Sequence, residues 1–526
     1  MKIAIAQSDY KVGDFDGNKA KIISAIERAK NNGVDLVVFA EYAICGTPAC
    51  DFLRMTSFLT ACEDALTDIA DVCDGISVLV GLPLVQNGKT MSAAAFVQNG
   101  QVLNYITKRN VTLAEERPYV NRGLGSDYVT VGGRKIAVAL GQDMFDDDEY
   151  FANADVVVGM CADPFFRRRI TWRYDKLRKR AFTKSKNIVF VNQVGAASEV
   201  VYYGSSAVFN AKGEAIALLA DFEEDYAELD IDAENEALEV PERNDKTTNH
   251  FKAIRLGLKD FFAKNGYTKA ALVLTGGVDS AVVAAMLVEA LGRKNVLALL
   301  LPTGFSKFHK YENAKLVAST LKIAHFDVDI DDAFSRLRKK ASEYIDVTEE
   351  AGEALQSRIA GSVLMGVYDC MGAVPVNTSN KTEIAIGDVT MYGNQVGFLS
   401  VLGDLYKHDV YALARYLNRE REMIPNEIMA RIPSAELKPE IFGKPKQLPS
   451  YEVLDAILYR LLEEGQSMEE ITNAGFDSEV VGDVLDVLAS SRMCRYQFCP
   501  ILRLSSHPFN KAGNLQPITA DYGFAK

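Results

Sequence analysis

Two short stretches of this 526-residue sequence carry residue types that could do chemistry. In ALVLTGGVDSAVVAAM, residues 271–286, an apolar run leads into Thr275-Gly276-Gly277-Val278-Asp279-Ser280, and a helical pattern follows at once. The two glycines let the backbone approach a phosphate closely. Thr275 and Ser280 supply hydroxyls, and the helix start offers free N–H groups at its positive dipole end. Asp279 in such a loop points to a divalent cation between its carboxylate and the phosphates. The same residues also fit a plain strand-to-helix turn capped by Asp or Ser, and the pattern is not the GxxxxGK[ST] of a Walker-type loop. In KIAVALGQDMFDD, residues 135–147, a strand pattern ends at Gly141. That is where an α/β enzyme often presents a nucleophile or metal ligand. Glycine has no side chain to present.

The elements that must position these residues fall into two halves. Residues 1–235 alternate short apolar runs with helical patterns: IAIAQ, DLVVFAE, ISVLVGLP, AAAFVQNG, IAVALG, ADVVVGM, NIVFVNQVG and SAVFNAKG read as strands, and 18–31 as a helix. So many strands with helices between them predict a layered α/β sandwich. Residues 236–250, polar and acidic, read as a linker. From 251 the pattern alternates helix, strand, helix, strand, which predicts a parallel sheet with helices on both faces, and beyond 450 the chain reads as mainly helical.

Apolar content of 48% and charged content of 25% are those of a soluble globular protein. No window reaches the roughly 18–20 apolar residues of a membrane span, and the amino terminus reads as a strand rather than a signal segment. The eight cysteines lie without CxxC pairs, which argues against a structural zinc and for a reducing cytoplasm. A net charge of −13 argues against nucleic acid as a partner, while leaving room for an anionic small ligand in a local pocket.

The 275–280 loop resembles the SGGxDS pyrophosphate loop of ATP pyrophosphatases, with Thr275 in place of the first Ser. Further stretches narrow the resemblance to NAD synthetases: LLLPTGFS (299–306), EALQSRIAGSVLMG (353–366), VNTSNKTEIAIGDVTMYGNQVG (376–397), GDLYKHDVYALARYLN (403–418), IPSAELKP (432–439) and LPSYEVLDAIL (448–458). About 200 residues match in collinear order. The resemblance implies a doubly wound parallel-sheet domain over 251–526 that uses ATP and Mg²⁺. It implies that Thr275, Gly276, Gly277, Asp279, Ser280 and Thr378 bind ATP, and that Asp279 and Glu383 hold the metal. Lys407 then joins them in catalysis by contacting phosphate, and Arg358, Lys381 and Ser434 bind the acid substrate.

The first half is similar to the nitrilase-like carbon–nitrogen hydrolases, which act through a Glu–Lys–Cys triad. DLVVFAEYAICGTP (35–48) places the Glu at Glu41, and NYITKRNVTLAEERPYV (104–120) places the Lys at Lys108, with Glu115 as a second acid. ADVVVGMCADPF (154–165) and VFVNQVGAASEVVYYGSSAVFNAKGE (189–214) match later strands. The resemblance implies a nitrilase-like α/β/β/α sandwich over 1–235, the glutaminase half of a glutamine-dependent NAD synthetase. The family's I-C-E-D segment reads LGQD here, so Gly141 stands at the nucleophile position. Cys161, one strand later, reads as a small core residue, and Cys45 and Cys50 fall in the loop after Glu41. The implied glutaminase is degenerate.

The second half also departs from the family's pattern. Ser379 replaces a Gly, Asn394 an Asp, Ala360 an Arg and Ala354 an Asn; Asp388 stands at a common Tyr position and Cys494 at a Lys position. The expected activity is an ATP-dependent amide-forming ligase that adenylates deamido-NAD and amidates it with ammonia. The alternatives are the same chemistry on a different carboxylic acid and a non-catalytic partner of an active NAD synthetase. A homodimer or larger homo-oligomer is implied by the family.

Overall fold

In a computed structural model the chain divides into two compact units, Met1–Lys246 and Thr247–Lys526. The structure describes residues 1–146, 148–166, 169–240, 245–302, 308–430, 440–441, 444–445 and 448–509. The division falls inside the expected linker, because the helix Lys246–Lys264 already begins there.

The strands of the first unit, in chain order, are β1 Lys2–Gln7, β2 Leu36–Val38, β3 Ser77–Gln86, β4 Lys89–Gln98, β5 Gln101–Thr107, β6 Asp127–Val131, β7 Arg134–Leu140, β8 Val156–Cys161, β9 Asn187–Asn192, β10 Val194–Ala197, β11 Val200–Tyr203, β12 Ala207–Phe209, β13 Ala215–Leu218 and β14 Asp225–Asp230. They build two six-stranded sheets, ordered β14-β1-β2-β3-β4-β5 and β13-β12-β9-β8-β7-β6, and a hairpin of β10 and β11. Their facing sides meet in one apolar layer: Ile3, Ile5, Leu36, Val38 and Leu79 from one sheet, and Ile136, Val138, Val156, Val158 and Val189 from the other. The outer face of the first sheet is covered by helices Phe15–Asn31 and Thr56–Asp71 through Ile22, Ile26, Leu66 and Ile69. The helix Arg169–Lys184 lies on the second sheet, beside β9 and β12. This is the α/β/β/α sandwich. The helix expected over 18–31 starts three residues earlier, where the Asp14 side chain accepts the Gly17 N–H at 3.1 Å and so caps it.

The second unit carries five parallel strands, β15 Lys269–Val273, β16 Val296–Leu300, β17 Ala324–Asp327, β18 Ala373–Asn377 and β19 Leu399–Ser400, in the order β17-β16-β15-β18-β19. Winding reverses between β15 and β18. In doubly wound sheets the crevice outside the carboxyl ends of two such strands is the ligand site. The helix Val278–Leu291 is buried over almost all of its first ten residues, which explains why its sequence is apolar all round. A second core forms where helices Tyr451–Leu462, Met468–Asn473 and Ser478–Ser490 enclose Ile384, Ala385 and Ile386 of the short helix Lys381–Ile386. No helix among the described residues is long and apolar enough to cross a membrane.

Candidate active site

The loop after β15 is organised by its own hydroxyls. The Ser280 hydroxyl accepts the Thr275 N–H at 3.2 Å and lies 3.1 Å from the Thr275 hydroxyl, and Thr275 Oγ1 accepts the Gly277 N–H at 3.4 Å. Gly276 has φ +78°, and a Cβ there would sit 2.0 Å from the Lys310 carbonyl oxygen. Only glycine meets both demands. Thr275 is exposed and Gly277 half-buried, while Gly276 and Ser280 are buried.

Three helix beginnings converge beside this loop. Asp279 is in the first turn of Val278–Leu291, Glu383 in the first turn of Lys381–Ile386, and Lys407 is the first residue of Lys407–Leu417. The Lys407 ammonium pairs with Asp279 and lies 3.4 Å from Glu383. Asn380, which the sequence reading did not single out, ties the two acids together. Its Nδ2 donates to Asp279 at 2.8 Å, its Oδ1 accepts the Glu383 N–H at 3.0 Å, and its own N–H donates back to the Glu383 carboxylate at 3.2 Å. That capping box is readable in NKTE, an N-cap residue followed three positions later by Glu. Burial, and then the neighbouring Asp279 charge, push the Glu383 carboxyl up to about 8 against the pull of Lys407. Burial alone would lower the Lys407 ammonium, but Asp279 and Glu383 hold it well above its ordinary value.

This donor set fits a magnesium ion. Both carboxylates lie against the Lys407 ammonium, and Mg²⁺ is typically held by one or two carboxylates, with phosphates and water completing the shell. Among the described residues no group of three or more His, Cys, Asp or Glu could hold a metal alone, so the remaining ligands would come from a bound nucleotide.

The other expected positions divide. Thr378 follows β18 directly, across the crevice from the 275–280 loop, and is half-buried. Arg358 is exposed, its Nε donating to the Met391 carbonyl at 3.2 Å. Asn394 turns onto its own loop, where its Oδ1 accepts the Thr390 N–H at 2.5 Å, a contact an Asp would make equally well. Ser434 lies outside the described residues.

Lys381 is a correction to the expected substrate contact. Its side chain is fully buried, and its ammonium donates to Asp404 at 2.8 Å, Ser505 at 3.0 Å and the His507 carbonyl at 2.9 Å, and pairs with Glu463. With those partners around it, the ammonium serves as the tie between three distant stretches of chain. Lys381→Met therefore strands two buried carboxylates, and the thermal unfolding midpoint should fall steeply, for a loss of about 3–5 kcal/mol. An unchanged midpoint would show that the triad is not a structural tie.

The first unit brings its expected residues together at strand ends. Glu41 follows β2, Lys108 follows β5, and Gly141 follows β7. The Lys108 ammonium donates to Glu41 at 2.9 Å and to both oxygens of Glu116 at 2.8 and 3.0 Å, and Ser92 donates to Glu41 at 2.6 Å. The second acid is therefore Glu116, 4% exposed, and not Glu115. Burial raises the Glu116 carboxyl to about 7, with Lys108 opposing. Gly141 has φ +50°, and a Cβ there would point into the cluster, 2.8 Å from Lys108 Nζ and 3.2 Å from Glu41 Oε2. That Glu41 oxygen is buried without a hydrogen-bond partner. The Cys161 thiol is buried, donates to the Gly141 carbonyl at 3.6 Å, and is pushed up by burial and by the Asp163 charge. It stays a protonated thiol.

Comparison with known proteins follows the same division. Residues 2–238 match the carbon-nitrogen hydrolase family and residues 250–497 the NAD synthase family. The chain is 32% identical to a glutamine-dependent NAD(+) synthetase of Thermotoga maritima over 99% of its own length and 98% of the relative's. A protein of the same description from Synechocystis sp. is 32% identical over 96% of each chain. A solved glutamine-dependent NAD+ synthetase from Acinetobacter baumannii, in complex with adenosine diphosphate, covers 98% of this chain and 97% of its own at a TM-score of 0.78 and 27% identity. One from Cytophaga hutchinsonii, at 19% identity and a TM-score of 0.86, shares the fold.

Proposed function

Because this chain belongs to the glutamine-dependent NAD(+) synthetase family, we propose that it makes NAD from deamido-NAD and ATP with ammonia that its own first unit does not supply. The observation that carries this reading is the contrast between two sites. Asp279, Glu383 and Lys407 are assembled at three converging helix beginnings, whereas Glu41 and Lys108 face a glycine.

In the second unit the substrate carboxylate attacks the α-phosphorus of ATP, and the bond to pyrophosphate breaks. Ammonia then attacks the acyl carbon, the bond to AMP breaks, and the amide forms with loss of a proton. The 275–280 loop and the start of the helix Val278–Leu291 that follows it bind phosphate oxygens. The Lys407 ammonium offsets negative charge as it grows on the leaving pyrophosphate. Asp279 and Glu383 would hold Mg²⁺, which when bound adds Lewis-acid neutralisation of the same oxygens. Glu383, whose carboxyl is pushed up to about 8, would hold the ion as the carboxylate.

In the first unit Glu41 can still act as a base and Lys108 can still face an oxyanion, but no atom is placed to attack a carboxamide carbon. Glutamine should therefore be a poor nitrogen source. With ATP, Mg²⁺ and deamido-NAD supplied, ammonium should support formation of NAD and AMP while glutamine alone gives a rate lower by several orders of magnitude. Equal rates from the two donors would overturn the assignment of Gly141. AMP release with other carboxylic acids but not deamido-NAD would move the substrate.

A further inference from the structure

The backbone N–H groups at the start of the helix Lys407–Leu417 are satisfied by side chains from two other helices. The residue before it, Tyr406, provides no side-chain cap. Instead the Lys407 N–H donates to the Thr382 hydroxyl at 3.0 Å, and the His408 N–H donates to the Asp455 carboxylate at 2.8 Å. The Thr382 hydroxyl in turn donates to the other oxygen of Asp455 at 2.5 Å. Asp455 also meets His408 Nδ1 at 3.1 Å, is 2% exposed, and lies on Tyr451–Leu462. One turn earlier on that helix, the Tyr451 ring lies 5.2 Å from the Lys407 ammonium. Asp455 hydrogen-bonds to neither Asp279 nor Glu383; it reaches the site through the helix start that carries Lys407 and through Thr382, the neighbour of Glu383.

We propose that Asp455 is a positioning residue for the ligase reaction: through the Thr382 hydroxyl and the His408 amide it fixes the first turn of the 407–417 helix, so that the Lys407 ammonium spans Asp279 and Glu383. The physical case rests on two orphan helix donors and one buried carboxylate. A charged acceptor at a helix beginning is favoured by the helix dipole as well as by the hydrogen bonds. The acceptor is also shared, so Thr382 cannot turn away without giving up both its bond to Asp455 and its bond to the Lys407 amide. A displacement of Lys407 by a fraction of its reach to Glu383 then weakens stabilisation of the leaving pyrophosphate without removing any group that binds the nucleotide. The inference deepens the assignment of Lys407 made above and rests on it.

Asp455→Asn in the full chain keeps shape and loses one of the two acceptors. With ammonium as donor, kcat per folded enzyme should fall about 10–100-fold, the range typical of residues that orient a catalytic group. KM for ATP should move less than about three-fold, because no nucleotide contact is lost. Thr382→Val should give a similar loss and Thr382→Ser should rescue it. The double variant Asp455→Asn/Thr382→Val should be no slower than the worse single, since both break one chain of contacts. Unchanged kcat in Asp455→Asn, or additive losses in the double variant, would overturn the positioning role. Thermal unfolding of each variant separates a lost fold from a lost rate. Lys407→Met measured beside them keeps the two assignments apart: full activity there removes the Lys407 reading itself, whereas an inactive Lys407→Met beside an active Asp455→Asn removes only the positioning role.

Discussion

Lys407→Met should lower the ammonium-dependent rate of NAD formation about 10²–10³-fold while leaving the protein folded, the scale seen when one preorganised charge partner of a transition state is removed. The loss should appear in kcat, because the ammonium is needed most when charge develops on the departing pyrophosphate. Folding survives because the acids left behind have another way to shed charge. Glu383, pushed up to about 8 by burial and by Asp279 even beside Lys407, stays protonated once its cationic neighbour is gone. Asp279 keeps the Asn380 hydrogen bond at 2.8 Å. The measurement is kcat and KM for ATP by AMP release, with thermal unfolding on the same preparation. A drop in unfolding midpoint as large as that expected for Lys381→Met, or a kcat within three-fold of the native value, would remove Lys407 from the reaction. The two lysines begin neighbouring helices and are both buried, yet the expected losses are opposite in kind: rate for one, stability for the other.

That opposition shows where the sequence runs out. Lys381 and Lys407 sit alike in their motifs, but the partners that decide their roles are remote: Asp404 and Glu463 lie 23 and 82 positions from Lys381, and Asp279 lies 128 from Lys407. No periodicity encodes such pairings. Glu41 and Gly141 were legible because each closes an apolar run that announces a strand, and Lys108 only through the likeness of NYITKRNVTLAEERPYV to a nitrilase segment. The second acid was missed by one residue, since in AEERP two adjacent acids differ only in which one turns inward. The alternation of QVLNYIT and DYAELD, now β5 and β14, is diluted by polar residues because both are edge strands with much of their surface outside the core. Asn380 was readable as a cap; its bond to Asp279, 101 positions away, was not.

The survival of Glu41 and Lys108 beside a glycine has a physical explanation that needs no retained activity. Lys108 is 1% exposed and shares its ammonium with two buried carboxylates, so losing it would leave Glu41 and Glu116 unpaired in the core, at a cost of about 3–5 kcal/mol. Exchanging a cysteine for glycine at 141 removes no buried charge and relieves a backbone at φ +50°. The nucleophile is the one member of the triad that the fold can lose cheaply.

Gly141→Cys should therefore give back glutamine hydrolysis. The backbone aims a Cβ at this position between Lys108 Nζ, 2.8 Å away, and Glu41 Oε2, 3.2 Å away, and that Glu41 oxygen has no hydrogen-bond partner to surrender. A thiol placed there meets a base that can take its proton and an ammonium that can face the oxyanion. Two costs oppose it. A non-glycine residue in left-handed backbone costs about 1–2 kcal/mol, and the Cβ presses on the end of the Lys108 chain, 2.7 Å from its Cε. That chain end can move, but its hydrogen bonds to Glu41 and Glu116 resist, so restoration should be partial: glutamate release at least about 10²-fold above the native protein, against the many orders that a missing nucleophile removes. Gly141→Ala, which bears the same backbone strain without a thiol, should release none, and Cys161→Ala should leave the gain intact. A folded Gly141→Cys protein whose new thiol is alkylated by iodoacetamide but which releases no glutamate would show that more than the nucleophile has been lost. Glutamate released by the native protein, and abolished by Cys161→Ala, would instead assign the attack to the neighbouring strand.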